Sequence, residues 1–128
     1  MATTSFLKRK SQMQRRPDAN CHGGQGELDW TCVLHNEETK GRCLTFLHDD
    51  VLSPGVSIGV HRHERGEEYY YILSGRGEMT LDGRRYPVQA GDVGAVFPGG
   101  AHGLENNSEE DLRILVIGLQ YATGRAAQ

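Results

Sequence analysis

The chain has 128 residues, a formal net charge of −3, and 37% hydrophobic and 24% charged residues, the make-up of one globular domain that buries roughly two-thirds of its unfolded surface. Such a core needs neither a disulfide nor a metal merely to hold together, and no apolar run approaches the ~18 residues of a membrane span. Beyond residue 16 the chain carries 17 acids against nine bases, which speaks against nucleic-acid binding.

The charge is unevenly placed. Lys8, Arg9, Lys10, Arg15 and Arg16 fall in the first 16 residues with no acid among them. Only Phe6 and Leu7 are bulky and apolar before Met13, too few for an amphipathic transit segment. Residues 1–18 therefore read as a flexible basic tail, 19–122 as a single domain and 123–128 as a C-terminal tail. The three cysteines, Cys21, Cys32 and Cys43, lie eleven apart and form no CxxC or zinc-finger spacing. They point to a reducing, cytoplasmic compartment, with Cys32 and Cys43 as small core residues.

Strand signals follow one another along the chain. Trp30, Cys32 and Leu34 alternate with polar or smaller neighbours in a strand from Leu28 to Leu34. Another runs from Arg42 to Leu47, and "LSPG" turns into an alternating stretch from Val56 to His63. Glu68 to Leu73 is aromatic and β-branched, and "SGRG" closes a hairpin into Glu78 to Leu81. Asp82–Gly83 is the strongest two-residue hairpin signal. Arg84 to Val88 follows, with Pro87 marking an edge strand or a strand end. Val93 to Phe97, Ala101 to Glu105 and Leu112 to Leu119 complete the series, and no helix longer than about one turn is expected. Short strands with a turn every 8–12 residues predict an antiparallel sandwich or small barrel.

Within that pattern, "GVHRHERGEEYYYILSG" (Gly59 to Gly75) is unusual. His61 and His63 are two apart, so in a strand they face the same way. Gly66 breaks the extended run, and Glu68 opens the returning strand with Tyr70 and Ile72 on its own face. Arg62 and Glu67 point the other way. His102 follows a Pro-Gly-Gly loop. Imidazoles and a carboxylate on an inward face are costly unless something compensates. Three neutral imidazoles and one carboxylate are good ligands for a first-row divalent metal.

The whole arrangement resembles the cupin family. The first cupin motif, a glycine, five residues, HxH, three or four residues, Glu, six residues and a glycine, is met by Gly55, His61, His63, Glu68 and Gly75. The second, a glycine, five residues, Pro-x-Gly, two residues, His, three residues and Asn, is met by Gly91, Gly99, His102 and Asn106. Phe97 stands where the family has its first proline, with Pro98 next door. The resemblance implies an all-β double-stranded β-helix, or jelly roll, with a metal inside the barrel held by His61, His63, Glu68 and His102. Fe(II), Mn(II) or Ni(II) in octahedral geometry would leave two positions open, whereas tetrahedral Zn(II) would leave none without expanding.

Around these ligands, Tyr70 is a core aromatic or a hydrogen-bond donor near the metal. The segment "CHGGQG" (Cys21 to Gly26) is a glycine-rich hinge, or else a strap that brings His22 to the pocket mouth. Tyr70 and His22 are the acid–base candidates, and Ile72 and Phe97 are pocket walls or core. His35 and His48 match no motif and are expected on the surface. The functional expectation is a metal-dependent enzyme on a small carboxylate or keto compound, by oxygenation, decarboxylation, isomerisation or lyase chemistry. A non-catalytic ligand-binding cupin and a sugar isomerase or epimerase are the alternatives. The expected partners are a small-molecule substrate and a second copy in a homodimer paired through sheet edges, with no nucleic acid and no membrane.

Overall fold

The computed structural model describes residues 4–121. Ten strands form in chain order: β1 (Gln14–Ala19), β2 (Glu27–His35), β3 (Leu44–Leu52), β4 (Ser57–Arg62), β5 (Glu67–Ser74), β6 (Arg76–Leu81), β7 (Arg84–Gln89), β8 (Val93–Val96), β9 (Ala101–Glu105) and β10 (Leu112–Leu119). One four-residue helix, α1 (Asn36–Thr39), and two 3-10 turns, at Lys10–Gln12 and Cys21–Gly23, are the only helical pieces among the described residues. A six-stranded sheet runs β1-β2-β3-β10-β5-β8 and a four-stranded sheet runs β4-β9-β6-β7, antiparallel throughout. This is the jelly roll that the motifs implied, and no described helix is long and apolar enough to cross a membrane.

The core follows from strand alternation. Leu52, Ile72, Leu112 and Ile114 are fully buried, with Leu28, Tyr70, Met79 and Leu104 packed beside them. The register aligns Ile72 with Ile114 and Ile114 with Asp50, so three neighbouring strands send these side chains to one face. Asp82–Gly83 makes the predicted hairpin between β6 and β7, and Pro87 lies on the edge strand β7 as expected.

The N-terminal boundary differs from the expectation. Residues 14–18, read as tail, belong to β1, which pairs along its length with β2. Opposite charge explains the pairing. Arg15 Nε donates to Asp29 Oδ1 at 2.9 Å, and the Arg16 guanidinium lies 4.4 Å from the Trp30 ring centre. Lys8 forms an ion pair with Glu38 at 2.8 Å. Nearly every β1 side chain is exposed, so the strand has no apolar face, and Pro17 is tolerated because β1 is an edge. The expected tail at 123–128 lies outside the described residues. Cys43 is a second correction: it sits just before β3 and is exposed, whereas Cys32 is buried as expected.

Candidate metal centre and its cavity

The two sheets meet at four side chains. His61 on β4 stands directly across from His102 on β9. His63 follows the end of β4, and its main chain is tied to the Pro98–Gly100 loop by two hydrogen bonds. Its N–H donates to Gly100 O at 2.9 Å, and Gly99 N–H donates to His63 O at 2.8 Å. Glu68 reaches in from β5 on the opposite sheet and is buried. One potential donor atom from each of these residues lies within 4.8 Å of the other three. His63 Nε2 is 3.0 Å from His102 Nε2, and the Glu68 oxygens are 3.3 Å from each of these nitrogens.

The donor set fits a divalent cation. Metal–nitrogen bonds of about 2.1 Å separate neighbouring donors by about 3.0 Å in an octahedron and about 3.4 Å in a tetrahedron, and the three spacings among His63, His102 and Glu68 fall in that interval. His61 Nδ1 is 2.8 Å from Gly59 O. Only an N–H can be satisfied there, so Nδ1 carries the proton and Nε2 is left with its lone pair facing the cluster. That Nε2 is buried with no hydrogen-bond partner among the described residues, as a metal ligand without its metal would be. The protonation states agree. Burial pushes His61 down to about 4 and also lowers His63. Burial alone would raise Glu68, but the His102 hydrogen bond and the neighbouring imidazoles outweigh it and hold the carboxyl below its usual value. Neutral imidazoles and an ionised carboxylate are the forms that bind metal.

Two further predicted residues enclose the cluster. The Tyr70 ring lies flat on His102, with centroids 4.0 Å apart. Its phenol is fully buried, and burial raises its pKa well above the usual value, so it stays protonated and can donate a hydrogen bond. His22 stacks on His61 at 3.6 Å, so the Cys21–Gly26 segment is a strap over the site. Gln25 N–H donates to Ser57 Oγ and Ser57 N–H to Gln25 O, both at 2.9 Å. Glycine is required at the crossing, because a Cβ on Gly24 would overlap Ser57 O and one on Gly59 would overlap His22 O. His22 itself adopts a left-handed backbone, φ 50°, which costs a non-glycine residue about 1 kcal/mol.

Of the two residues expected as pocket wall or core, neither lines the cavity. Ile72 is fully buried in the core beneath Tyr70. Phe97 is 55% exposed, and its ring meets Tyr69 edge-on on the outer face of the sheet. The cavity beside Glu68 is about 130 Å³ and is lined by Asp18, Cys21, His22, Trp30, Phe46, His48, Asp50, Ile58, Glu68, Tyr70 and Val116. Three polar residues among them, His48, Asp50 and Asp18, were not site candidates in the sequence reading. His48, expected on the surface, turns inward between Phe46 and Trp30, and burial pushes it down to about 4. Asp50 is 4% exposed, and burial pushes it up to about 7. Asp18 lines the cavity beside Cys21, whose thiol is pushed up to about 12 by burial and then by the nearby Asp18 charge, which disfavours the thiolate. Among the described residues no lysine or arginine lines the cavity.

Comparison with known proteins agrees with the fold. A family model described as a cupin domain matches residues 50–118, a span that holds all four clustered ligands. The chain is 34% identical over 114 residues to the oxalate-binding protein of Thermotoga maritima, covering 89% of this chain and 93% of that one. It is similar to the crystal structure of a predicted oxalate decarboxylase from Thermotoga maritima, with a TM-score of 0.84 and 32% identity over 91% of this chain and 100% of that one. It is also 38% identical over 71 residues to the oxalate decarboxylase of Bacillus subtilis, covering 52% of this chain but 18% of that longer protein.

Proposed function

This chain belongs to the cupin family, and on that premise we propose that it is a metal-dependent enzyme for a small carboxylate, with oxalate the first candidate and decarboxylase-type lyase chemistry the expected reaction. The observation that carries the reading is the convergence of His61, His63, Glu68 and His102, with His61 Nε2 buried and unpartnered. A bound Fe(II), Mn(II) or Ni(II), or Zn(II) with an expanded shell, would supply a Lewis acid able to chelate carboxylate oxygens.

The substrate class follows from size and charge. A cavity of about 130 Å³ is well below the ~300–1,000 Å³ of drug-sized sites and suits a ligand of a few non-hydrogen atoms. With no lysine or arginine among the described residues of the wall, an anion would find its countercharge at the bound metal cation. The relative named as an oxalate-binding protein matches over nearly its whole length, which supports oxalate as the first compound to try. Tyr70 offers a protonated phenol to a bound oxygen, and His22 closes the mouth over His61. The same relative's name favours a second reading, in which the site binds oxalate without turnover.

The reading also makes the protein a homodimer. The β8 edge carries exposed Val93, and Tyr71 on β5 pairs with it across the ladder. A second copy would cover this apolar edge, which a sedimentation or light-scattering mass would check.

Metal analysis of tag-free protein beside His61→Ala tests the metal. About one metal per chain in the wild type, lost in the variant, is expected; equal metal in both removes the reading. Calorimetry with oxalate on the loaded protein, followed by assays for carbon dioxide and formate, then separates turnover from binding alone.

A further inference from the structure

The carboxylate reading leaves one wall of the cavity without a task. Asp50 is nine-tenths buried and lines the cavity, and its Oδ1 has no hydrogen-bond partner among the described residues. A buried, unpaired carboxyl oxygen costs stability with no structural return, and such a group aimed into a cavity is matched to something that enters it. It rests on β3, with β2 and β10 paired on either side, so its position is set by rigid sheet rather than by a loop.

We propose that Asp50 is a specificity residue, whose neutral acid donates a hydrogen bond to the oxygens of the bound carboxylate turned away from the four clustered ligands. The proposal rests on the reading that the cavity takes a small carboxylate. The surroundings favour the neutral acid. Asp18 from β1, Asp29 from β2 and Asp49 on β3 all repel a charge on Asp50, and only the Thr31 main-chain N–H favours one. His48 is held neutral beside it, and Arg113 on β10 is engaged by Asp49 outside the barrel. Cys21, His22, Tyr70 and Glu68 are the other titratable side chains of the lining, and its described residues include no lysine or arginine. An ionised Asp50 would repel a carboxylate, whereas a neutral one accepts it. Oxalate has polar atoms at both ends and satisfies both walls, while acetate presents a methyl group to Asp50.

The test uses full-length protein loaded with Mn(II), with calorimetric titration of oxalate and of acetate at pH 6 and pH 8. Three proteins are compared, wild type, Asp50→Asn and Asp50→Leu, and the metal content of each is measured. In the wild type, oxalate affinity is expected to fall about tenfold between pH 6 and pH 8, as the neutral fraction of a group near pH 7 falls. Asp50→Asn, a permanently neutral donor, should stay within about threefold of wild type at pH 6 and lose the fall toward pH 8. Asp50→Leu should bind oxalate at least about tenfold more weakly at pH 6, with metal content and acetate affinity unchanged. Oxalate binding by Asp50→Leu equal to wild type overturns the proposal, as does an Asp50→Asn variant that keeps the wild-type fall. Should Asp50→Leu fail to fold, the isosteric Asp50→Asn comparison decides alone. Loaded wild type that binds no oxalate overturns the carboxylate reading and this proposal with it. Wild type that binds oxalate without regard to residue 50 overturns only the role of Asp50.

Discussion

Gly59→Ala tests how the Cys21–Gly26 strap is held over the metal centre. Gly59 lies in β4, where alanine adopts the backbone freely, so any cost is steric. A Cβ there would overlap the His22 carbonyl oxygen and stand 2.9 Å from both the carbonyl carbon and the Gly24 nitrogen. All three are main-chain atoms and cannot rotate away. The strap must therefore lift by about 1 Å, straining the two Gln25–Ser57 hydrogen bonds and pulling His22 off His61. Overpacking of this kind costs about 1–3 kcal/mol, and three rigid neighbours place Gly59 in the upper part of that range. For a domain of this length 1 kcal/mol is about 4 °C in Tm, so the melting point should fall by roughly 8–12 °C. Gly23→Ala is the control. Its Cβ meets nothing within 4 Å, but φ is +80°, so it should lose only the backbone term of about 1–2 kcal/mol. Thermal melts by far-ultraviolet circular dichroism on the two variants decide the matter. A Gly59→Ala protein that melts within 2 °C of wild type would refute the reasoning.

Three further outcomes are expected. Asn106 is fully buried, its Nδ2 donating to Leu52 O and Glu110 O and its Oδ1 accepting from Ser108; Asn106→Ala should cost about 2–4 kcal/mol in denaturant unfolding, and a loss under 1 kcal/mol would contradict this network. Gly118→Ala would drive a Cβ into the Phe46 ring and should destabilise by about 1–3 kcal/mol, with Phe46→Leu in the same chain restoring part of the loss; an unchanged single variant would show the ring free to move. Asp50 has its folded pKa raised to about 7, so its neutral form contributes stability that is fully present below pH 3.8 and lost as pH rises through about 7. The stability advantage of Asp50→Asn over wild type should therefore grow by up to about 3 kcal/mol between pH 5 and pH 8, measured as paired urea melts on metal-free protein, and a constant difference would count against a buried acid.

Much of the site is legible in the chain because its signals are local. His61 and His63 share a face by the two-residue period of a strand, and the spacing from Gly55 to Asn106 marks the cupin motifs. Asp82–Gly83 announces its own hairpin. The missed elements depend on partners far away in sequence. β1 carries exposed, charged side chains, and only its pairing with Asp29 and Trp30 on β2 reveals it as a strand. On β3 the pattern misleads. Leu47 and Val51 look like the inward face and His48 and Asp50 like the outward one, yet the strand presents His48 and Asp50 to the cavity.

From sequence alone come the all-β class, which rests on strand alternation and turn signals, and the family with its candidate ligand set, which rest on the resemblance of the motif spacings to those of cupins. Tertiary structure alone decides which polar residues share the cavity with Glu68. Alternation says that residues 48 and 50 face together, but which way they face depends on the sheet packed against them. Whether Ile72 and Phe97 line the pocket or sit in the core was open for the same reason, and the packing of the two sheets puts Ile72 in the core and leaves Phe97 exposed.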